Sequence, residues 1–210
     1  MSRQNPCKKK IVLGVTGMLG SGKTTVSKIF EAFGAEVIDA DSIAHRCLRR
    51  DRPAYKKIIR TFGRKILDAN GAIQRGKLAE IVFHNKISLQ RLNRILHPPI
   101  IRIIKKKIEL SRSKVVILDA PLLLEAGLKT IVEELAVVKI AKAKQLERIK
   151  KRDCLSFKSV LGRVKSQISQ SQKIRLADFI IDNNGSLKKT KRQVKDIWKR
   201  LNLSLAPDKQ

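Results

Sequence analysis

Five short apolar runs rich in β-branched residues mark the chain at 11–16, 36–39, 115–119, 135–140 and 179–182. Each is too short for a helix and is unbroken by the polar alternation of a sheet with one wet face, so each predicts a strand buried on both sides. Between them lie stretches with helical periodicity, clearest at 23–33, where Gly34 supplies a C-terminal stop, and at 143–152, 160–168 and 189–201. Strands alternating with amphipathic helices predict an α/β fold, a parallel sheet of five strands covered by helices. The interval between Asp39 and Val115 breaks this rhythm, because about 75 residues pass without a strand. It reads as helices near 43–49, 55–62, 78–83, 89–96 and 100–110, with turns at Arg52-Pro53, Asn70-Gly71 and His97-Pro98-Pro99. An inserted helical subdomain that binds substrate is the expectation.

Composition supports a folded domain. Of 210 residues 42% are hydrophobic, ample for one core. The longest uncharged stretch runs over twelve residues, 11–22, well short of the roughly 18 of a membrane span. The basic start followed by apolar residues resembles a signal peptide but continues into a Gly- and Lys-containing loop, so it reads as a first strand. Cys7, Cys47 and Cys154 are odd in number and form no C-x-x-C pair, and His45, His84 and His97 are dispersed. This predicts a reduced, cytoplasmic protein without zinc.

The 47 Lys and Arg outweigh 18 Asp and Glu, a net charge of +29. Such a field attracts nucleic acid, acidic membranes or phosphorylated metabolites, unless the excess is merely solvated surface. Six Phe, one Tyr and one Trp are too few, and too regularly placed at apolar positions, to build a base-stacking platform.

The sharpest chemical signal is Gly17-Met18-Leu19-Gly20-Ser21-Gly22-Lys23-Thr24, which matches G-x-x-x-x-G-K-[ST] between a strand and a helix. In such a loop glycines let backbone N–H groups converge on phosphate at a helix N-terminus. Lys23 reaches the outer phosphates and the Thr24 hydroxyl ligates Mg²⁺. Asp39-Ala40-Asp41 follows the second strand at the same sheet edge. One carboxylate there can orient Mg²⁺ and the other can take a hydroxyl proton, while Asp41 can equally cap the helix beginning at Ser42. Asp119 closes an apolar strand, as a second Mg²⁺-orienting acid would. Arg148, Arg152 and Arg163 are candidates to neutralise transferring phosphate, or belong to a basic face. His45 reads as a half-exposed helix residue, His97 as a turn anchor and Lys105-Lys106-Lys107 as a solvated face.

Taken in order, these motifs resemble the dephospho-coenzyme A kinase family. TGMLGSGKTTV, VIDADSIAH, FGRKILDANGAIQRGKLAEIVF, LNRILHPPI, DAPLLLEAGL, RVKSQ and ADFIIDNNGS all fall where that family has related segments. The chain departs from the pattern at Gln74 and Cys154. The resemblance implies a P-loop kinase core at about 8–40, 113–145 and 176–203, a helical insertion at about 41–112 and a lid at about 146–175. It implies ATP-dependent phosphorylation of the ribose 3′-hydroxyl of dephospho-coenzyme A by a monomeric cytoplasmic enzyme using Mg²⁺. By position, Asp41, Lys23 and Arg152 would be catalytic. Gly17, Gly20, Ser21, Gly22, Lys23, Thr24, Thr25, Arg152 and Arg163 would bind ATP, Asp41, Arg75 and His97 the acceptor, and Thr24 and Asp119 the metal. The competing expectation is an NTPase that binds nucleic acid through its +29 surface. The chain lacks an N-K-x-D guanine signature and its basic residues are spread along its length.

Overall fold

A computed structural model describes residues 10–152 and 167–205. Strands β1 (Ile11–Gly17), β2 (Glu36–Asp39), β3 (Val115–Asp119), β4 (Glu134–Lys139) and β5 (Phe179–Asp182) form one sheet in the order β2-β3-β1-β4-β5. Every pairing is parallel. All five apolar runs become strands within one residue of the expected limits. The fourth is displaced by that one residue at both ends: pairing with Leu13 recruits Glu134, while Ile140 stays buried just past the last paired residue.

Alternate residues feed two cores. Leu13, Val15, Ile117, Val138 and Ile181 face Val26 and Phe30 of α1 (Lys23–Ala32) and Val194, Ile197 and Leu201 of the C-terminal helix. Val12, Val116, Leu118, Leu135 and Val137 face the insertion, where Ile43, Ile58, Leu96 and Ile104 are buried. The period-2 split of fully apolar strands is what a sheet covered on both faces requires. It also means the insertion shares its core with the sheet.

The insertion holds α2 (Ala40–Cys47), α3 (Pro53–Phe62), a 3₁₀ turn (Arg64–Ile66), α4 (Arg75–Phe83) and α5 (Lys86–Leu110). Pro53 opens α3 at its first turn, where its missing N–H costs nothing. Asn70-Gly71 is a tight loop closed by the Leu67–Ile73 bridge.

The turn expected at His97-Pro98-Pro99 does not form. One 25-residue helix, α5, runs through both prolines. They deny hydrogen bonds to the carbonyls of Arg94 and Ile95, yet Leu92, Leu96, Ile100 and Ile104 keep four-residue spacing across the break and are all buried. Packing of this stripe against α2, α3 and α4 outweighs the local penalty.

Beyond β4, α6 (Lys142–Arg152), α7 (Gln170–Arg175) and α8 (Leu187–Leu203) complete the described chain. Helix α7 was missed by periodicity because it is short. Its signal is the Ser169–Gln172 capping box. The helix expected at 160–168 lies outside the described residues except for Gln167 and Ile168, which are not helical. No described helix is long and apolar enough to cross a membrane.

Candidate active site

Because β1 is flanked by β3 on one side and β4 on the other, the chain changes direction of winding at its carboxyl end. In an open parallel sheet this is where a crevice opens. Residues 17–22 lead from that point into α1. The helix starts at Gly22 with no side-chain cap and no acid in its first turn, so its positive end is left to an external anion. Gly22 has φ of 89°, and a Cβ there would come 2.2 Å from Asn183 Nδ2. Both conformation and space therefore demand glycine.

Side chains from distant elements hold this loop. Gln145 Nε2 donates to the Leu19 carbonyl at 2.8 Å, and the Leu19 N–H donates to Gln167 Oε1 at 3.1 Å. Buried Asn183 donates to the Ser21 carbonyl at 2.7 Å and is itself fixed by the Thr190 hydroxyl at 2.9 Å. Arg148 bridges the carbonyls of Ser21 and Asn183. Backbone N–H groups can receive phosphate only if the loop keeps one shape, and these contacts impose it.

A cleft of about 920 Å³ opens over the loop, lined by Gly20, Gly22, Lys23, Thr24 and Thr25 together with Asp39, Asp41, Asp119 and Arg148. The carboxylates arrive from two strand ends in register, since Asp39 of β2 pairs with Asp119 of β3. Asp39, not Asp41, caps α2: its Oδ1 accepts the Ser42 N–H at 3.0 Å and the helix begins at Ala40. The helix expected at Ser42 starts two residues earlier, so Asp41 stands in the first turn, exposed, without the capping duty.

Asp119 is partly buried and accepts a hydrogen bond from Ser27 Oγ at 2.8 Å. Burial pushes its carboxyl above the usual value, and the neighbouring charges of Asp39 and Asp41 push the same way. The Ser27 hydroxyl and the Lys23 charge oppose the shift without cancelling it. Lys23 is 9% exposed, so its ammonium acts in a poorly screened setting.

The remaining expectations divide. Gly17 and Ser21 belong to the loop but do not line the cleft, and the Ser21 side chain is fully buried. Arg75, at the start of α4, is exposed and lies apart from the lining. His97 is half-buried within α5, also outside the lining, where burial lowers its pKa and keeps the ring neutral near pH 7. Arg152 ends α6 with its side chain outside the described atoms, and Arg163 lies outside the described residues. Arg148, the third candidate, is in contact with the loop. Gln145, Gln167 and Asn183 were missed as individuals, although RVKSQ and ADFIIDNNGS contain two of them.

Among the described residues no group of three His, Cys, Asp or Glu could hold a metal by itself. The oxygen donors present, Thr24 and Asp119, suit a hard cation that takes its other ligands from phosphate and water, the habit of Mg²⁺.

Comparison with known proteins agrees with this geometry. The family model described as Dephospho-CoA kinase matches residues 11–189. The dephospho-CoA kinase of Carboxydothermus hydrogenoformans is 43% identical over 194 residues, covering 90% of this chain and 94% of that protein. Among solved structures, TT1252 from Thermus thermophilus superposes with a TM-score of 0.79 at 29% identity, covering 92% of this chain and 99% of the other. The dephospho-CoA kinase from Campylobacter jejuni gives 0.67 at 29% identity, covering 93% and 98%.

Proposed function

The chain belongs to the dephospho-CoA kinase family, and from that premise we propose how its own residues move the γ-phosphoryl group of ATP to the ribose 3′-hydroxyl of dephospho-coenzyme A. The observation that carries the reading is the meeting of phosphate loop, Asp41 and Asp119 in one cleft.

The loop and the positive end of α1 receive the phosphates of ATP, with Lys23 on their outer oxygens and Thr25 at the mouth. Thr24 and Asp119 would hold Mg²⁺, which when bound neutralises charge on the β- and γ-phosphate oxygens. The 3′-hydroxyl of the acceptor approaches Asp41, which takes its proton as the new P–O bond forms. The bond from γ-phosphorus to the bridging oxygen breaks, and ADP leaves with that electron pair. Arg152 and Arg163 are assigned to ATP on the strength of the family resemblance, as are Arg75 and His97 to the acceptor. An odd number of cysteines, with Cys47 buried as a free thiol, fits a reducing, cytoplasmic setting.

The test is mass-spectrometric detection of coenzyme A after incubation with Mg·ATP and dephospho-coenzyme A, with adenosine and a short RNA in parallel. One added phosphoryl group on dephospho-coenzyme A is the expected result. ATP hydrolysis stimulated by RNA, with no coenzyme A, would overturn the reading.

Asp119 carries a further prediction. A carboxyl whose folded-state pKa lies above its unfolded value of about 3.9 makes the protein lose stability as pH rises through that interval. Asn at this position can still accept from Ser27 but carries no charge to desolvate. Asp119→Asn should therefore match or exceed the parent in thermal stability at pH 7 while requiring more Mg²⁺ for half-maximal activity. A melting point lower than the parent's, with an unchanged Mg²⁺ requirement, would show that Asp119 is a structural residue.

A further inference from the structure

Beneath the phosphate loop lies a cation that the transfer step does not use. Lys173 of α7 has no solvent exposure, and its ammonium sits 2.9 Å from Glu125 Oε1 and 3.2 Å from Oε2. It also donates to the Pro121 carbonyl at 2.9 Å and lies 3.5 Å from Thr16 Oγ1. Taking a lysine fully out of water is unfavourable, and a buried pair is seldom more stable than apolar residues filling the same space. Simple stabilisation is thus a poor account of its presence.

Its contacts suggest another. Thr16 immediately precedes the phosphate loop, and Pro121 and Glu125 belong to the turn after β3. The same Glu125 accepts the Ile168 N–H at 2.9 Å. Next to Ile168 stands Gln167, whose amide spans from Pro121 to the loop: Nε2 donates to the Pro121 carbonyl at 3.1 Å and to the Gly17 carbonyl at 3.5 Å, while Oε1 receives the Leu19 N–H. The segment at 16–19, the turn at 121–125 and the chain at 167–173 are thereby pinned at one point, although Lys173 and Thr16 stand 157 residues apart and Gln167 and Pro121 stand 46 apart.

We propose that Lys173 is a positioning residue for nucleotide phosphate: with Glu125 it fixes the chain at 167–168, so that Gln167 holds Leu19 and Gly17 in the shape that receives an anion. The inference uses the kinase reading only to name the nucleotide, and ATP binding measured without acceptor separates the two.

Three variants are compared: Lys173→Met, the double change Lys173→Met with Glu125→Leu, and Gln167→Ala. For each, the Kd for Mg·ATP, the KM for ATP and for dephospho-coenzyme A, and the melting temperature are measured. Expected is a rise of at least about fivefold in Kd and KM for ATP in all three, with the acceptor KM held within about twofold. The double variant should recover much of the melting temperature lost by Lys173→Met, since no unpaired charge remains buried, without recovering ATP affinity. A purely structural pair predicts the opposite. Recovery of ATP affinity together with stability in the double variant, or parental ATP affinity in Gln167→Ala, would overturn the proposal. Should Lys173→Met fail to fold, the other two variants decide it.

Discussion

Replacement of Asp41 by Asn lowers kcat by at least about tenfold, on a scale of about 10²–10⁴ for loss of a general base, while the Kd for ATP stays within about twofold. The two parts of this expectation have separate structural grounds. Asn preserves size and hydrogen-bonding reach but cannot hold the proton released by the 3′-hydroxyl. The fold is insulated, because the N-cap of α2 is Asp39 and the buried face of that helix is Ala40, Ile43 and Cys47. Loss of one negative charge near the helix start costs only about 0.3–1 kcal/mol. Steady-state kinetics with a parallel melting curve checks both, and undiminished turnover would remove Asp41 from the chemistry.

Lys23→Ala should be at least as damaging but in a different pattern. The side chain leaves the loop at the start of α1 and lies in the cleft with little solvent to screen it. Its charge is therefore available to phosphate oxygens as negative charge shifts toward the leaving ADP. Removing it should raise the KM for ATP and lower kcat together, by about 10²–10³ in kcat/KM. A second consequence follows from its neighbour. Lys23 opposes the upward shift of the Asp119 carboxyl, so its loss drives that carboxyl higher still. In the metal-free protein the stability lost as pH rises should then be greater than in the parent. A variant with a defect in KM alone would confine Lys23 to binding.

Much of this site could be read before the fold was known, for an identifiable reason. A phosphate loop is a local device: glycines, a lysine and a hydroxyl at fixed spacing between a strand and a helix, so Gly17 through Thr24 carry their meaning in order. Carboxylates at a strand end or just past it share that property, which is why Asp39, Asp41 and Asp119 were visible. The supports were not. Gln145 and Asn183 contact the loop from 126 and 162 residues away and Lys173 reaches Thr16 across 157, and nothing in an isolated glutamine or lysine announces such reach. The same limit explains the error at Pro98-Pro99. Locally the pair forbids helix hydrogen bonds, and only the buried stripe from Leu92 to Ile104 reveals that packing carries α5 through. Of the two roles open to Asp41 the capping one falls to Asp39 instead, since both are good caps and two residues separate them.

The strand order also governs how the chain must assemble. Central strand β1 pairs with β3 in the register Ile11 to Val115, so the first strand made waits for a partner over a hundred residues downstream. Closing so long a loop has an entropic cost that grows with its length, although slowly, by about 0.6 kcal/mol per doubling. Helices α2 to α5 fill that interval with contacts among near neighbours, and once they dock on one another the effective separation shrinks. The insertion thus favours an order of events in which local helical hairpins condense first and the sheet zips up around them. Rapid gain of helical signal, followed by a slower phase in which the phosphate loop becomes competent to bind ATP, is the refolding behaviour this topology favours.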